Sequence, residues 1–323
     1  MMILLGNSVA DSLRQGLEAH FDPSDFVSAS ISRFPSTEAF CEIRSEIAGQ
    51  DIVLVQSMGR SQDHSANDFA FETLLTIKTL KRYGAASIKL IAPFIAFARQ
   101  DRAREGKQDS IGTQDFADML RLVGCDGITT FDIHSEASRA YYQNIFGAHA
   151  HFPQAAILYQ DYFKTLVLNQ PLVGGPDLGA DHRAAELATA LQAEQFHTNK
   201  ERQASRTVLL ECDAHPKDRD IILIDDMIDT GGTILNAAKW LKANEATRVF
   251  AVATHGIFSH NALDSLLRAK TIDNQALFDQ LIITDSIDSA AQLQLLERQY
   301  GGVKHRLKVL SLAPLVAEQI EKL

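Results

Sequence analysis

Short apolar runs recur along the chain, each long enough for one buried strand: MMILL at the start, DIVLVQS from 51, SIKLIAPF from 87, GITTFDIH from 127, PLVGGPD from 171, DIILIDD from 220, RVFAVATH from 248, LIITDSI from 281 and LKVLSL from 307. Between most of them the apolar positions change to helical spacing. Ile234, Ala237, Ala238 and Leu241 fall at i, i+3, i+4 and i+7 of TILNAAKWLKA, and Ala184, Leu187, Ala188 and Leu191 do the same in ADHRAAELATALQAE. Near-continuous apolar strands alternating with amphipathic helices predict an α/β architecture of mainly parallel sheets covered on both faces. FDIHS at 131–135 and VATHG at 252–256 each end a strand in histidine, which predicts two similar α/β halves meeting near 150–170. The stretch from His197 to Arg206, HTNKERQASR, carries charge without apolar period and predicts an exposed loop or hairpin tip.

Composition narrows the partners. A chain of 323 residues, 46% of them apolar, can bury two real cores. Its formal charge of −10 argues against a nucleic-acid or anionic-membrane surface as the main partner, because either would repel it. No window approaches the ~20 apolar residues that span a bilayer. The N-terminal apolar run lacks a basic flank and ends at Leu5, so it reads as a first strand and not a signal peptide. Cys41, Cys125 and Cys212 are far apart with no Cys-x-x-Cys spacing, which indicates neither zinc nor a disulfide framework and fits a reducing cytoplasm.

The chemistry concentrates in IILIDDMIDTGGT, residues 221–233. A buried strand running into a polar loop and then a helix places that loop at the carboxyl edge of a parallel sheet, where α/β proteins bind ligands. Asp229, Thr230, Gly231, Gly232 and Thr233 precede a helix expected to begin near Ile234. The two glycines let the backbone approach an anion, helix N-terminal amides point at it, and the threonines add hydroxyl donors. No Gly-Lys-Ser/Thr is present, so this is not a Walker A loop. Asp225 and Asp226 sit where the vicinal hydroxyls of a sugar joined to that phosphate would reach them, and a carboxylate suits a diol. An Asp pair capping the next helix, with Gly-Gly as a mere turn, is the plainer alternative; the whole thirteen-residue arrangement favours the ligand.

Other segments are more open when read alone. FARQDRARE, 97–105, gathers Arg99, Arg102 and Arg104 beside Gln100 and Asp101, which suits a triphosphate or equally a solvated charged loop. FDIH, 131–134, puts Asp132 and His134 on one face of a strand end, where a satisfied histidine is the commoner outcome. Asp177 in GGPDLGADHRA can cap the helix that follows, with Gly179 beside it. KER, 200–202, reads as a solvated charge cluster.

Together these stretches resemble the ribose-phosphate diphosphokinase, or phosphoribosyl pyrophosphate synthetase, family. The likeness runs from RFPSTE at 33–38 to LVAEQI near the end. It implies two similar phosphoribosyltransferase-type domains, each a mainly parallel sheet flanked by helices. Residues 1–150 would form the ATP side and 151–323 the ribose-5-phosphate side, with a last helix able to pack back on the first. The implied activity transfers the β,γ-diphosphoryl group of MgATP to ribose 5-phosphate. By resemblance, Asp225, Asp226, Asp229, Thr230, Gly231, Gly232 and Thr233 hold ribose 5-phosphate, and His134 and Asp177 hold Mg2+. Arg99, Gln100, Asp101 and Arg104 match ATP-binding positions. Lys200 and Arg202 match a Lys-x-Arg that closes over the triphosphate and stabilises its charge. Phe34 would stack on adenine, with Ser36, Thr37 and Glu38 nearby, in the site of a neighbouring subunit, which implies a homo-oligomer.

Ser36 and Thr37 stand where many members have Asp and Gly, and Ala48 stands where phosphate-activated members carry arginine, which predicts weaker dependence on inorganic phosphate. A type I phosphoribosyltransferase would use the same acidic loop, but usually with one such domain and without FARQD. A non-catalytic regulatory subunit, which the family also contains, is opposed by the presence of Lys200, Arg202, His134 and the acidic loop.

Overall fold

The computed structural model describes residues 1–202, 208–213 and 215–323, with backbone alone at 199–202 and 208–212. The chain forms two compact units. Unit 1 comprises Met1–Gln154, Asp285–Ser289 and Ser311–Leu323, and unit 2 comprises Ala155–Thr284 and Ala290–Leu310.

Unit 1 contains, in order, β1 (Met2–Leu5), α1 (Asp11–His20), β2 (Ala29–Arg33), β3 (Ala39–Ile43), β4 (Asp51–Val55), α2 (Ala66–Arg82), β5 (Ser87–Ala92), α3 (Gly112–Val123), β6 (Gly127–Thr130), α4 (Glu136–Phe146) and β7 (Ala150–His151). β1, β4, β5, β6 and β7 form one parallel sheet in that order, while β2 and β3 pair as a separate antiparallel hairpin. Val53, Leu54, Ile88, Leu90 and Ile128 are buried, which is why these strands read as unbroken apolar runs. The start of α2 is a capping box: Asp68 N–H donates to Ser65 Oγ at 3.2 Å and Ser65 N–H donates to the Asp68 carboxylate at 2.8 Å.

Asp126, at the entry to β6, ties α2 to β5. Its carboxylate accepts from Lys81 Nζ at 2.8 Å and from Ile88 N–H at 2.9 Å. Burial pulls its pKa up, but Lys81 and the amide outweigh that and hold it below the usual carboxylate range. A depressed native pKa gives stability that is present above the unfolded pKa and lost as the pH falls through the native one. Asp126→Asn should therefore cost about 1 kcal/mol at neutral pH. In denaturant melts the gap to the parent should close below about pH 4; a gap independent of pH would refute the ion-pair account.

Unit 2 contains α5 (Ala156–Lys164), β8 (Leu172–Gly174), α6 (Asp181–Leu191), β9 (Glu194–Phe196), the hairpin β10 (Thr198–Arg202) and β11 (Val208–Cys212), β12 (Asp220–Ile228), α7 (Gly232–Ala243), β13 (Arg248–Gly256), α8 (Ala262–Arg268), β14 (Gln280–Thr284), α9 (Ala290–Tyr300) and β15 (Leu307–Leu310). Its parallel sheet runs β15-β14-β13-β12-β8-β9. From β8 the chain goes outward to β9, then returns to lay β12 on the other side of β8. The carboxyl ends of β8 and β12 therefore flank a topological switch point, the usual ligand crevice of an open α/β sheet. At the opposite end of β12, fully buried Asp220 accepts from Arg248 at 2.9 and 2.5 Å and from Asn169 N–H at 2.6 Å, anchoring the sheet.

The last helix, α10 (Ala313–Glu321), belongs to unit 1. A Cβ at Gly16 of α1 would lie 2.4 Å from the Ala313 methyl, so glycine permits this close packing. Asp285, only 2% exposed, joins the returning segments: it accepts from Ser12 Oγ at 2.8 Å and from Leu312 N–H at 2.7 Å.

Three sequence-based boundaries need correction. The strand expected over GITTFDIH stops at Thr130, and Asp132 adopts φ 42°, so Asp132 and His134 lie in a loop and not on a strand face. Asp tolerates the left-handed region better than most residues, which permits the break. β12 continues through Asp225 and Asp226 to Ile228, and α7 starts at Gly232, earlier than Ile234. Of HTNKERQASR, expected as a loop or hairpin tip, Thr198–Arg202 is already the first strand of a hairpin, and 203–206 lie outside the described residues. Among the described residues no helix is long and apolar enough to cross a membrane.

Candidate active site

The acidic loop occupies the switch point of unit 2. Gly174, the last residue of β8, pairs with Leu223 of β12, so the loops leaving these two strands are neighbours. Gly231 precedes α7 with φ 76°, and a Cβ there would sit 2.9 Å from the Leu266 side chain, so both backbone and space require glycine. A Cβ at Gly232 would meet nothing within 4 Å. The face of the loop is thus open, and Thr230, Gly232 and Thr233 are exposed. No side chain caps α7. Amides at the start of a helix suit an anionic acceptor, which the helix dipole also favours.

Asp225 and Asp226 lie inside β12 just before this loop, Asp226 almost fully buried. Asp226 N–H donates to Asp225 Oδ1 at 2.9 Å. Burial first, then the Asp226 charge, with a further contribution from Asp177, push the Asp225 carboxyl up to about 8. Two adjacent carboxylates held largely out of water repel each other, which is why the Asp225 carboxyl resists ionising. A sugar diol or a divalent cation would complete the arrangement.

Asp177 follows β8 and accepts from Gly179 N–H at 3.1 Å, capping the short turn that leads into α6. The oxygen donors Asp177, Asp225 and Asp226 fit magnesium, which prefers oxygen, keeps several waters and needs only one or two carboxylates beside substrate phosphates. Among the described residues no group of three His, Cys, Asp or Glu converges as a complete metal cage. Thr198 Oγ1 donates to Gly175 O at 2.9 Å, fastening β10 to the exit of β8 two residues before Asp177. Lys200 and Arg202 lie on β10, opposite Leu210 and Val208 of β11.

Unit 1 brings FARQD and FDIHS together. Arg99 and Gln100 are exposed in the turn after β5, and His134 is half-buried in the loop before α4. Asp101 does not face outward: it is 7% exposed and accepts from Ser135 Oγ at 2.6 Å. Arg104 is clasped by Asp109, at 2.7 Å from Nε and 3.0 Å from Nη2, which lifts its pKa and lowers that of Asp109. Residues 34–38 form the tip of the β2–β3 hairpin. Phe34 is 53% exposed and packs edge-on against Phe40 with centroids 5.4 Å apart. Ser36 Oγ donates to Glu38 at 2.6 Å, and Thr37 adopts φ 71°, the region that glycine fills without strain.

Sequence reasoning missed Ser135, Ser138 and Thr198. Ser135 did carry a signal, because it stands immediately before the helical pattern EASRAYY at an N-cap position.

Known proteins resemble this chain at the level of sequence and of fold. Residues 2–124 match the N-terminal domain of ribose phosphate pyrophosphokinase, and residues 207–323 match the phosphoribosyl synthetase-associated domain. The ribose-phosphate pyrophosphokinases of Vibrio parahaemolyticus and Vibrio cholerae are 32% and 33% identical to it over 301 residues, covering 91% of this chain and 87% of each relative. The crystal structure of phosphoribosylpyrophosphate synthetase from Mycobacterium smegmatis superposes with a TM-score of 0.83 at 27% identity, over 99% of this chain and 97% of that one. The fold is accordingly α/β, with two phosphoribosyltransferase-type domains of mainly parallel sheet. Likeness of this extent, along nearly the whole chain, places it in the ribose-phosphate pyrophosphokinase family.

Proposed function

We propose that this protein transfers the β,γ-diphosphoryl group of MgATP to the C1 hydroxyl of ribose 5-phosphate, giving phosphoribosyl pyrophosphate and AMP. The observation that carries the reading is the uncapped start of α7 behind buried Asp225 and Asp226, in a chain of this family. Amides of residues 230–233 grip the 5-phosphate, aided by the hydroxyls of Thr230 and Thr233, and Asp229 leads into this loop on the side of the ribose. Asp225 and Asp226 orient the ring hydroxyls. Arg99 and Gln100 engage the triphosphate, while Arg104 and Asp101 shape that loop through Asp109 and Ser135. Phe34, presented at a hairpin tip, stacks on adenine bound to a neighbouring copy in a homo-oligomer. In this reading residues 1–150 serve ATP and 151–323 ribose 5-phosphate, apart from the returning segments Asp285–Ser289 and Ser311–Leu323 that belong to unit 1.

The C1 oxygen attacks the β-phosphorus and forms the new O–P bond. The bond from that phosphorus to the α,β-bridging oxygen breaks, AMP leaves with the electron pair, and the hydroxyl proton passes to solvent. Lys200 and Arg202 stabilise the charge that develops on the transferring group. Magnesium, when bound through His134 or Asp177, supplies charge neutralisation of the phosphates. Positioning and electrostatics suffice in this reaction class without a dedicated base. The reading places the enzyme in the cytoplasm, and Cys41 and Cys125 are unpaired.

Phosphorus NMR of the purified protein with ATP, magnesium and ribose 5-phosphate is the direct test. AMP and phosphoribosyl pyrophosphate should form together. Formation only after adding a second protein would point to a regulatory subunit, and consumption of phosphoribosyl pyrophosphate with a nucleobase would point to a phosphoribosyltransferase.

A further inference from the structure

The four residues 98–101, which carry Arg99 and Gln100, are held at both ends by the first turn of α4. Ser138 Oγ donates to Ala98 O at 2.7 Å, and Ser135 Oγ donates to Asp101 Oδ2 at 2.6 Å. Ser138 is fully buried and Asp101 nearly so, so neither bond is readily replaced by water. The Ser135 hydroxyl also accepts from Ser138 N–H at 3.1 Å, which makes one small network of the helix cap and both tethers. Gln100 is fixed further by its own N–H to Phe97 O at 2.8 Å and by Thr113 N–H to its carbonyl at 3.3 Å. The same cap ends the loop that bears His134.

We propose that Ser135 and Ser138 are positioning residues for MgATP: their hydroxyls hold the Arg99–Gln100 segment in register with His134. The inference rests on the diphosphokinase reading above. Its physical basis is that a segment pinned at both ends spans at most about 11 Å and cannot swing away without breaking a buried hydrogen bond. Arg99 and Gln100 then meet the triphosphate with little ordering left to do. Catalytic contacts held in this way gain affinity from reduced entropy cost. Neither serine touches substrate in this account.

The test is steady-state kinetics and thermal melting of the full-length protein carrying Ser135→Ala, Ser138→Ala or Ser135→Thr. Ser138→Ala separates positioning from helix capping, because its backbone N–H still reaches Ser135. Both alanine variants should raise KM for ATP about tenfold, the cost of one hydrogen bond in a buried network, with KM for ribose 5-phosphate unchanged. Ser135→Thr keeps the hydroxyl and the cap and should restore ATP KM. Unchanged ATP KM in both alanine variants, or equal rises for both substrates alongside a lower melting temperature, would overturn the positioning role while leaving the diphosphokinase reading intact. A parent protein that forms no phosphoribosyl pyrophosphate would overturn that reading, and the positioning role with it.

Discussion

Lys200→Ala is expected to lower kcat by about a thousandfold while KM for ribose 5-phosphate stays within about twofold, because only the transition state gains from the cation. The separation follows from placement. The 5-phosphate is assigned to amides at the start of α7, whereas Lys200 sits on β10, a strand fastened at Thr198 to the exit of β8. A cation that meets the diphosphoryl group as charge spreads over its oxygens lowers the barrier and adds little to ground-state sugar binding. Lys200→Arg should recover part of the rate, since charge returns with altered geometry. Near-normal turnover in Lys200→Ala would remove the hairpin from the mechanism.

Asp225→Asn carries the second large effect, with two readouts that move in opposite directions. Turnover should fall by at least about a hundredfold, because the amide loses the charge that orients hydroxyls and attracts a divalent cation. The ligand-free protein should nevertheless melt at a higher temperature. Burial and the adjacent Asp226 hold the Asp225 carboxyl up near 8, so the folded state bears an electrostatic strain that a neutral side chain of the same shape relieves. Calorimetry of ligand-free samples beside the kinetic assay tests both halves. A variant that loses activity and also melts lower would show that the carboxylate pair is part of the fold's support and not a site held under strain.

Much of the architecture was legible because buried parallel strands write themselves as unbroken apolar runs. Strand ends were less visible. GITTFDIH looked continuous because Phe131 and Ile133 are buried even though they lie in a loop, and apolar loop residues packed into a core mimic a strand. The β2–β3 hairpin left no apolar run, since its residues are mostly half-buried or exposed. The acidic loop could be read from its own thirteen residues, as glycine placement and helix start are local properties. The environment of Asp101 could not. Its partner Ser135 lies 34 residues away, and nothing in one sequence announces that pairing. LIITDSI likewise reads as a plain strand, yet Asp285 leaves β14 to bind Ser12 and the start of α10.

That last feature bears on how the protein is made. The opening helix and the strand beside it emerge from the ribosome well before Asp285 and α10, which close over them. Until α10 has emerged, the seat prepared by Gly16 for Ala313 stays without its occupant. A nascent chain stalled before residue 311 should remain protease-sensitive in its N-terminal third, however complete the strands there have become.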